Sequence, residues 1–512
     1  MSRFFSLLLL FLSMSFAVPK HVKETLKELS PGIYGVFGVY EQVSPKNRGF
    51  ISNAYFIITR DGVIVFDALS TYKLGKELIE TIQTKTEKPI KYLIISHYHT
   101  DHFYGAKAFK EKGAIIIAHP YTLEYLGSDE AQRMFNARLG VLGKDLMEGT
   151  VQVAPDLLVD KSLVILLGGE RFEIHHWCKA HTDGDLVLWI PSKKVLISGD
   201  IVFGGRVPFL GSGNSKSWIE CLDKILGLEP EVLLIGHGEP LFGKENIKRQ
   251  VAWTKKYIQD IRSVVRKLYE EGLSVEEVRA RANEEMLKID PAYSQLPVFF
   301  DVNPVNAYHL YFEIEREVLF ELIVGRTLAS LSTPAVLKNT KVMLIPLTEG
   351  ISLEFIAKGR TLIFDGWTRF EEHDFREEKL PKLEKGQVLK PQRIILEERQ
   401  TEPPKRYTEG TLVKKLEGLG IGRPSTYATI IKTLKERGYV VVEKGYLKPT
   451  ETAFLVLDYL MENFPKLVDY QYTAKMEEVL DLVEEGKKDW KSAVRELFKE
   501  ITDGSPYPNK LP

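Results

Sequence analysis

The run Ser96-His97-Tyr98-His99-Thr100-Asp101-His102 places four potential metal ligands within six positions, directly after the apolar stretch KYLIIS. A lone histidine is usually structural. Four imidazole and carboxylate groups in an H-x-H-x-D-H array can instead converge from one loop on a pair of metal ions, provided a strand end holds that loop rigid. Three further residues of the same kind sit beside apolar runs that read as strands: His181 in KAHTDGDLVLWI, Asp200 closing VLISGD, and His237 in VLLIGHGEP. Nitrogen and oxygen donors of these types suit zinc, and iron or manganese accept the same ligands.

Such a site needs strands to carry it. From Gly32 the chain reads as short β-rich runs, and AYFIITRDGVIVFDAL, with a turn at Arg60-Asp61-Gly62, is a hairpin signal. A helical stretch, TYKLGKELIETIQTKTE, precedes KYLIIS, whose unbroken apolar run suits a strand buried on both faces. Strands and helices alternate to about Phe242. Two amphipathic helices follow, the second opened by Ser274 with Glu277 three residues on, a capping-box pattern. Three prolines between Asp290 and Pro304 mark a connection. Beyond Glu317 the pattern changes to helices around a β-rich middle, KVMLIPL and GISLEFIAKGRTLIFDGW.

At 512 residues the chain exceeds the ~150-residue prior for one domain, so several folding units are expected. With 44% hydrophobic and 27% charged residues it is neither a disordered chain nor a many-span membrane protein. A formal charge of −1 announces no nucleic-acid or membrane partner. Two cysteines, Cys178 and Cys221, exclude a disulfide scaffold and leave room for one disulfide; by pattern Cys178 reads as a small buried side chain and Cys221 as core. The opening MSRFFSLLLLFLSMSFAVPK has a basic Arg3, a thirteen-residue apolar region from Phe4 to Phe16, and small residues Ser15 and Ala17. That is a signal-peptide pattern with cleavage after Ala17, which implies a periplasmic or secreted protein with no integral membrane association after cleavage.

The seven residues together resemble the metallo-β-lactamase superfamily, over roughly Ser30 to Phe242. The resemblance implies an αββα sandwich with the metal site at one edge of the two sheets. It also implies that His97, His99 and His181 bind one metal and Asp101, His102 and His237 the other, with Asp200 bridging. Asp200 stands where the β-lactam-hydrolysing members have cysteine, so the ligand set is closer to the glyoxalase II-like hydrolases. Implied with it is hydrolysis of a small-molecule ester, thioester, lactone or amide by a hydroxide bridging two Zn2+ ions, with Asp101 orienting the hydroxide and shuttling a proton. Asp67, ending VIVFD, either supports the ligand loop, as in the family, or is a plain strand-end residue. Arg206, in FGGRVPFLGSG, either attracts a substrate carboxylate or is an ordinary solvated arginine. His175 and His176 do not match the ligand spacing.

The distal part resembles the carboxyl-terminal part of bacterial type IA DNA topoisomerases, over roughly Val318 to Phe498, through VLFELIVGRTLAS, AKGRTLIFDGW, PPKRYTEGTLVKKLEGLGIGRPSTYATIIKTLKERGYV and YTAKMEEVLDLVEEGKKDW. The resemblance implies single-stranded DNA as a partner, touched by Arg423, Ser425, Thr426 and Tyr427. Residues 401–450 hold ten Lys/Arg and five Asp/Glu, a local excess that the neutral total hides; charges alone favour a solvated face, and the same stretch could neutralise phosphates. A helix from Ser425 to Arg437 and the two-stranded YVVVEKGYLKPT would make a winged helix. The family's acidic metal domain and nucleophilic tyrosine have no counterpart here, so no topoisomerase activity is expected from this chain alone. The expected organisation is a signal peptide (1–17), a hydrolase (18–300), a linker or helix junction (301–317) and a partial topoisomerase-like segment (318–512), although DNA work would suit the cytoplasm rather than an exported protein.

Overall fold

The computed structural model describes residues 19–347, 350, 352–371, 373 and 376–502. The segment read as a signal peptide lies outside the described residues. Two compact units divide between Lys382 and Leu383.

The first unit is built on two sheets. One runs in chain order through β1 (Lys27–Ser30), β2 (Ile33–Val36), β3 (Ala54–Ile58), β4 (Val63–Phe66), β5 (Ile90–Ile94), β6 (Ile115–Ala118) and β7 (Leu157–Leu158). β1 to β4 pair antiparallel and β4 to β7 parallel. The other contains β8 (Ser162–Leu167), β9 (Glu170–His175), β10 (Val187–Ile190), β11 (Val195–Ile197), β12 (Val232–Leu234) and β13 (Leu241–Phe242), with only β11 and β12 parallel.

Apolar residues on both faces of these strands dictate the layering. In β4, Ile64 and Phe66 join a core shared with Leu188, Ile190 and Ile197 of the second sheet, while Val63 and Val65 join a core on the opposite face. Side-chain alternation along a strand requires that division. The outer core of the first sheet is closed by α1 (Tyr72–Gln83), α3 (Ala106–Glu111) and α5 (Asp129–Met147), with α2 (Thr100–Phe103) and α4 (Pro120–Leu126) as short connectors. The second sheet is covered by α6 (Ser215–Gly227), α7 (Lys244–Glu270), α8 (Val275–Ile289) and the first half of α9 (Phe299–Leu331). The result is the expected αββα sandwich. The expected capping box is present: Ser274 Oγ accepts from Glu277 N, and the Glu277 carboxylate accepts from Ser274 N.

The connection expected between Asp290 and Pro304 is different. A short 3-10 turn, Pro291–Gln295, leads directly into α9, which runs through Pro304 without a break. Proline lacks the N–H that would bond the carbonyl four residues back; that carbonyl, of Phe300, accepts from Asn283 Nδ2 at 3.4 Å instead. Of the linker or helix junction expected at 301–317, it is helix that forms, and Val302, Ala307, Leu310 and Ile314 are buried in the core that covers the second sheet. The one disulfide that two cysteines left room for is present: Cys178 and Cys221, which by pattern read as buried side chains, are joined with a Cα separation of 6.0 Å. Beyond α9 the unit carries an antiparallel hairpin, β14 (Val336–Leu344) and β15 (Phe355–Phe364).

The second unit contains α10 (Glu409–Gly418), α11 (Tyr427–Glu436), a hairpin of β16 (Val440–Glu443) and β17 (Tyr446–Pro449), then α12 (Glu451–Asn463), α13 (Tyr470–Glu484) and α14 (Trp490–Thr502). The expected helix and two-stranded wing are present, the helix opening at Tyr427 rather than Ser425. Among the described residues no helix is long and apolar enough to cross a bilayer.

Candidate metal centre

Parallel pairing sets the strands' carboxyl ends side by side, and the candidate ligands follow those ends. Asp67 follows β4, the His97–His102 loop follows β5, Asp200 follows β11 and His237 follows β12; His181 comes from the loop before β10. Three clusters form: His97, His99 and His181; His97, His102 and Asp200; and Asp101, His102 and His237. Within each, the ligand atoms lie within 4.8 Å of one another. Asp200 faces both sides: Oδ1 is 3.4 Å from His102 Nε2, and Oδ2 is 3.5 Å from His181 Nε2 and 3.3 Å from His237 Nε2. Asp101 Oδ2 is 3.3 Å from His237 Nε2 and 3.5 Å from His102 Nε2. A Cβ at Gly236 would stand 1.9 Å from Asp200 Oδ1, so only glycine lets this carboxylate sit where it does.

Every histidine of the set is held by its outer nitrogen. His102 Nδ1 donates to Asp67 Oδ2 at 2.8 Å, His181 Nδ1 to the Phe209 carbonyl at 2.9 Å, and His237 Nδ1 to the Ile51 carbonyl at 2.7 Å. His97 Nδ1 donates to Ser96 Oγ at 2.9 Å, which in turn donates to Asp67 Oδ2, and His99 Nε2 bonds Ser212 Oγ at 3.0 Å. Outer bonds of this kind fix the ring and turn the other nitrogen inward, as metal-binding imidazoles require. Inward-facing His97 Nε2, His102 Nε2 and Asp200 Oδ1 are buried and make no hydrogen bond. Buried polar atoms are almost always bonded, so the donor set fits divalent cations. Asp67 thus supports the loop, from a backbone with φ of 69°, a left-handed conformation costly for a non-glycine residue.

Electrostatics divide the site. Burial holds His97 and His99 well below the ordinary imidazole pKa and pushes His181 down to about 4, leaving neutral rings. Burial opposes the charge of His102 and His237 too, but the neighbouring carboxylates, Asp200 foremost, outweigh it and raise both. Burial works against charge on Asp101 and Asp200 as well; His102 and His237 overcome it and hold both carboxylates well below their usual range.

Several supporting groups had no signature in the sequence. Asp185 closes the turn after His181 by accepting from Thr182 N and Oγ1, both at 2.9 Å, and burial pushes its carboxyl up to about 7. Asn306 of α9 accepts from Leu210 N at 2.8 Å and donates to the Pro208 carbonyl at 2.7 Å, clamping both sides of Phe209, whose carbonyl holds His181. Arg206 is 6% exposed and therefore not a solvated arginine. His175 and His176 stay out of the clusters; His175 contacts Glu173 and His176 the Asp185 carbonyl.

In the second unit, the Arg423 guanidinium is engaged by Asp481, through Nη2 at 2.5 Å and Nε at 3.2 Å. Thr426 Oγ accepts from Arg423 N at 2.8 Å, Ser425 is exposed, and Tyr427 opens α11. The loop is tied to α13 again through Gly422 N, which donates to Glu477 at 3.1 Å.

Two sheets between helical layers, with imidazoles and carboxylates gathered beyond the strand ends, define the metallo-β-lactamase class of fold. Residues 47–237 match the family model of the metallo-beta-lactamase superfamily, and residues 244–495 that of DNA topoisomerase. The chain thus carries a metallo-β-lactamase-superfamily domain followed by a type IA topoisomerase domain. The second match begins at Lys244, within helices whose apolar faces are buried against the hydrolase sheet. Similar proteins include DNA topoisomerase 1 of Aquifex aeolicus, 54% identical over 189 residues, which are 36% of this chain and 35% of that protein. DNA topoisomerase 1 of Thermotoga maritima is 35% identical over 247 residues, 48% of this chain and 38% of that one. The chain therefore spans little more than a third of the length of these curated relatives. Similar solved structures include the metallo-beta-lactamase from Pontibacter korlensis (17% identity, TM-score 0.37, 45% of this chain and 98% of that one). The sec-alkylsulfatase Pisa1 from Pseudomonas sp. is another (19% identity, TM-score 0.45, 56% and 49%).

Because the neighbouring carboxylates raise the pKa of His102 and His237 and so favour their protonated forms, a cation taking their Nε2 atoms competes with protons. Metal binding is expected to release protons and to weaken as pH falls below neutral. Calorimetry of zinc binding at fixed pH, in buffers of different ionisation enthalpy, reads the number released; binding that releases none would contradict this arrangement.

Proposed function

We propose that the chain is an exported, dinuclear metal-dependent hydrolase of small molecules carrying an ester, thioester, lactone or amide bond. The observation that supports it most is the position of Asp200, whose Oδ1 lies near His102 and whose Oδ2 lies near both His181 and His237, so that it neighbours ligands of both sets. In this reading His97, His99 and His181 hold one cation, Asp101, His102 and His237 the other, and Asp200 serves both. Two Zn2+ ions held there would bring a water molecule's pKa near neutral and polarise the scissile carbonyl. Asp101 orients the attacking oxygen and passes its proton toward the leaving group. Asp67, Ser96, Ser212 and the carbonyls of Phe209 and Ile51 keep the imidazoles aimed. Export is supported by the Arg3 to Ala17 pattern and by the Cys178–Cys221 disulfide, which suits an oxidising compartment.

A second reading is favoured by the 54% identity to a topoisomerase over 189 residues: the distal part grips single-stranded DNA through Arg423, Ser425, Thr426 and Tyr427, without cleaving it unless another chain supplies the nucleophilic tyrosine.

For the hydrolase, the zinc-loaded full chain should turn over an activated ester or thioester. Chelation should abolish this, added zinc restore it, and Asp200→Ala or His97→Ala lower it roughly a hundredfold or more. Turnover that survives chelation and both substitutions would remove the reading. For the DNA reading, fluorescence anisotropy with a labelled oligonucleotide should show binding that weakens between about 50 and 200 mM salt. Arg423 must leave Asp481 to reach a phosphate, so Asp481→Ala should tighten that binding and Arg423→Ala weaken it; no binding at low salt would dismiss it.

A further inference from the structure

His181 differs from the other candidate ligands in how it is carried. Asp200 and His237 follow strand ends and the His97–His102 loop follows β5, whereas His181 lies within residues 176–186, between β9 and β10. That stretch is fastened to α6. The Cys178–Cys221 disulfide ties it three residues before the imidazole. Lys224 Nζ donates to the Trp177 carbonyl at 2.8 Å, and the backbone N of Asn214, which caps α6, donates to the Ala180 carbonyl at 3.1 Å. Trp218, a turn before Cys221, sets its ring 5.3 Å from that of His181. Trp218, Cys221, Leu222 and Ile225 are buried at helical spacing and share one face of α6. The disulfide therefore lands on the helix face that backs the imidazole.

Of these ties only the disulfide is covalent. The Lys224 bond lies at the surface, where water competes for it. Groups that orient an imidazole ligand from outside are worth about ten- to a hundred-fold in metal affinity. His181 enters only the cluster with His97 and His99, and none of Asp101, His102 and His237 lies on the disulfide-bonded stretch. Loosening that stretch falls on one cluster and spares the other.

We propose that the Cys178–Cys221 disulfide is a positioning device for His181: its oxidation state sets the affinity of the metal position formed by His97, His99 and His181 and leaves that formed by Asp101, His102 and His237 unchanged. This rests on the dinuclear reading and adds a redox control to it. Reduction by a dithiol delivers two electrons and two protons: the S–S bond breaks, two S–H bonds form, and the dithiol becomes a disulfide. Cys221 is fully buried and Cys178 only half-buried, so the dithiol attacks at Cys178. Both metal positions are then tight only in an oxidising compartment, the kind an exported protein enters.

Zinc titration of the metal-free full chain against a chromophoric chelator tests this by binding alone, on oxidised protein and on protein reduced with dithiothreitol that is removed under argon before zinc is added. Two ions are expected per oxidised chain. On reduction one affinity should fall about ten-fold or more while the other stays within about two-fold, and oxidised glutathione should restore the first. The double variant Cys178→Ala/Cys221→Ala, which leaves no thiol to compete for zinc, should match the reduced chain. His181→Ala separates positioning from general support: it has already lost the affected position, so reducing it should weaken the remaining ion no further. Equal weakening of both positions, no weakening of either, further loss on reducing His181→Ala, or a reduced chain that circular dichroism shows to be unfolded would each overturn the proposal. An oxidised chain that binds fewer than two ions removes the dinuclear reading itself, and the proposal with it.

Discussion

Three carboxylates, Asp67, Asp101 and Asp200, are buried together at one edge of the sandwich, and the rest of the site follows from the need to compensate them. A carboxylate removed from water is tolerated only beside opposite charge or hydrogen-bond donors. Asp67 is satisfied within the protein by Ser96 and His102. Asp101 and Asp200 are not satisfied in that way, since their nearest neighbours are imidazole nitrogens at 3.3 to 3.5 Å, longer than good hydrogen bonds. Divalent cations held there would answer the same carboxylate charges that raise the pKa of His102 and His237.

Holding five histidines in that geometry is the work of the whole hydrolase fold. The parallel pairs β4 with β5 and β11 with β12 bring four strand ends to one edge, while cores on either side of each sheet leave the strands no freedom to slide. The loop between Asp200 and α6 is secured from α9, through Asn306, and the loop before His181 is stapled to α6 by the disulfide. That dependence gives α9 two identities. Its first half completes the hydrolase core, and it lies within the stretch that matches DNA topoisomerase. The boundary between the two ancestries in sequence is therefore not the boundary between packed units.

How much of this was legible depended on what each residue had to be. The strands of the sandwich could be read because burial on both faces demands unbroken apolar runs such as VIVF and KYLIIS. The candidate ligands could be read because polar, metal-binding side chains stand immediately after those runs. Asp67 was visible as a strand-end acid, yet its bond to His102 depends on a pairing of β4 with β5 that no local pattern states. The acceptors on Phe209 and Ile51 are backbone carbonyls, which every residue has. Arg138 lies in a helix of ordinary composition, and its hydrogen bond to Thr100 depends on that helix passing the ligand loop. Pro304 misled because proline usually ends a helix, whereas here Asn283 from the neighbouring helix serves the carbonyl it leaves unpaired. In the tail, the basic excess was legible, but the pairing of Arg423 with Asp481, 58 residues away, was not.

The central claim is that one buried cluster holds two metal ions through Asp200. Anomalous diffraction from crystals of the zinc-loaded protein, measured on either side of the zinc edge, tests it most directly. The account predicts two peaks within bonding distance of the cluster, one among His97, His99 and His181 and one among Asp101, His102 and His237, with Asp200 touching both. A single peak that leaves Asp101 and His237 uncoordinated, or zinc located only elsewhere on the molecule, would contradict it.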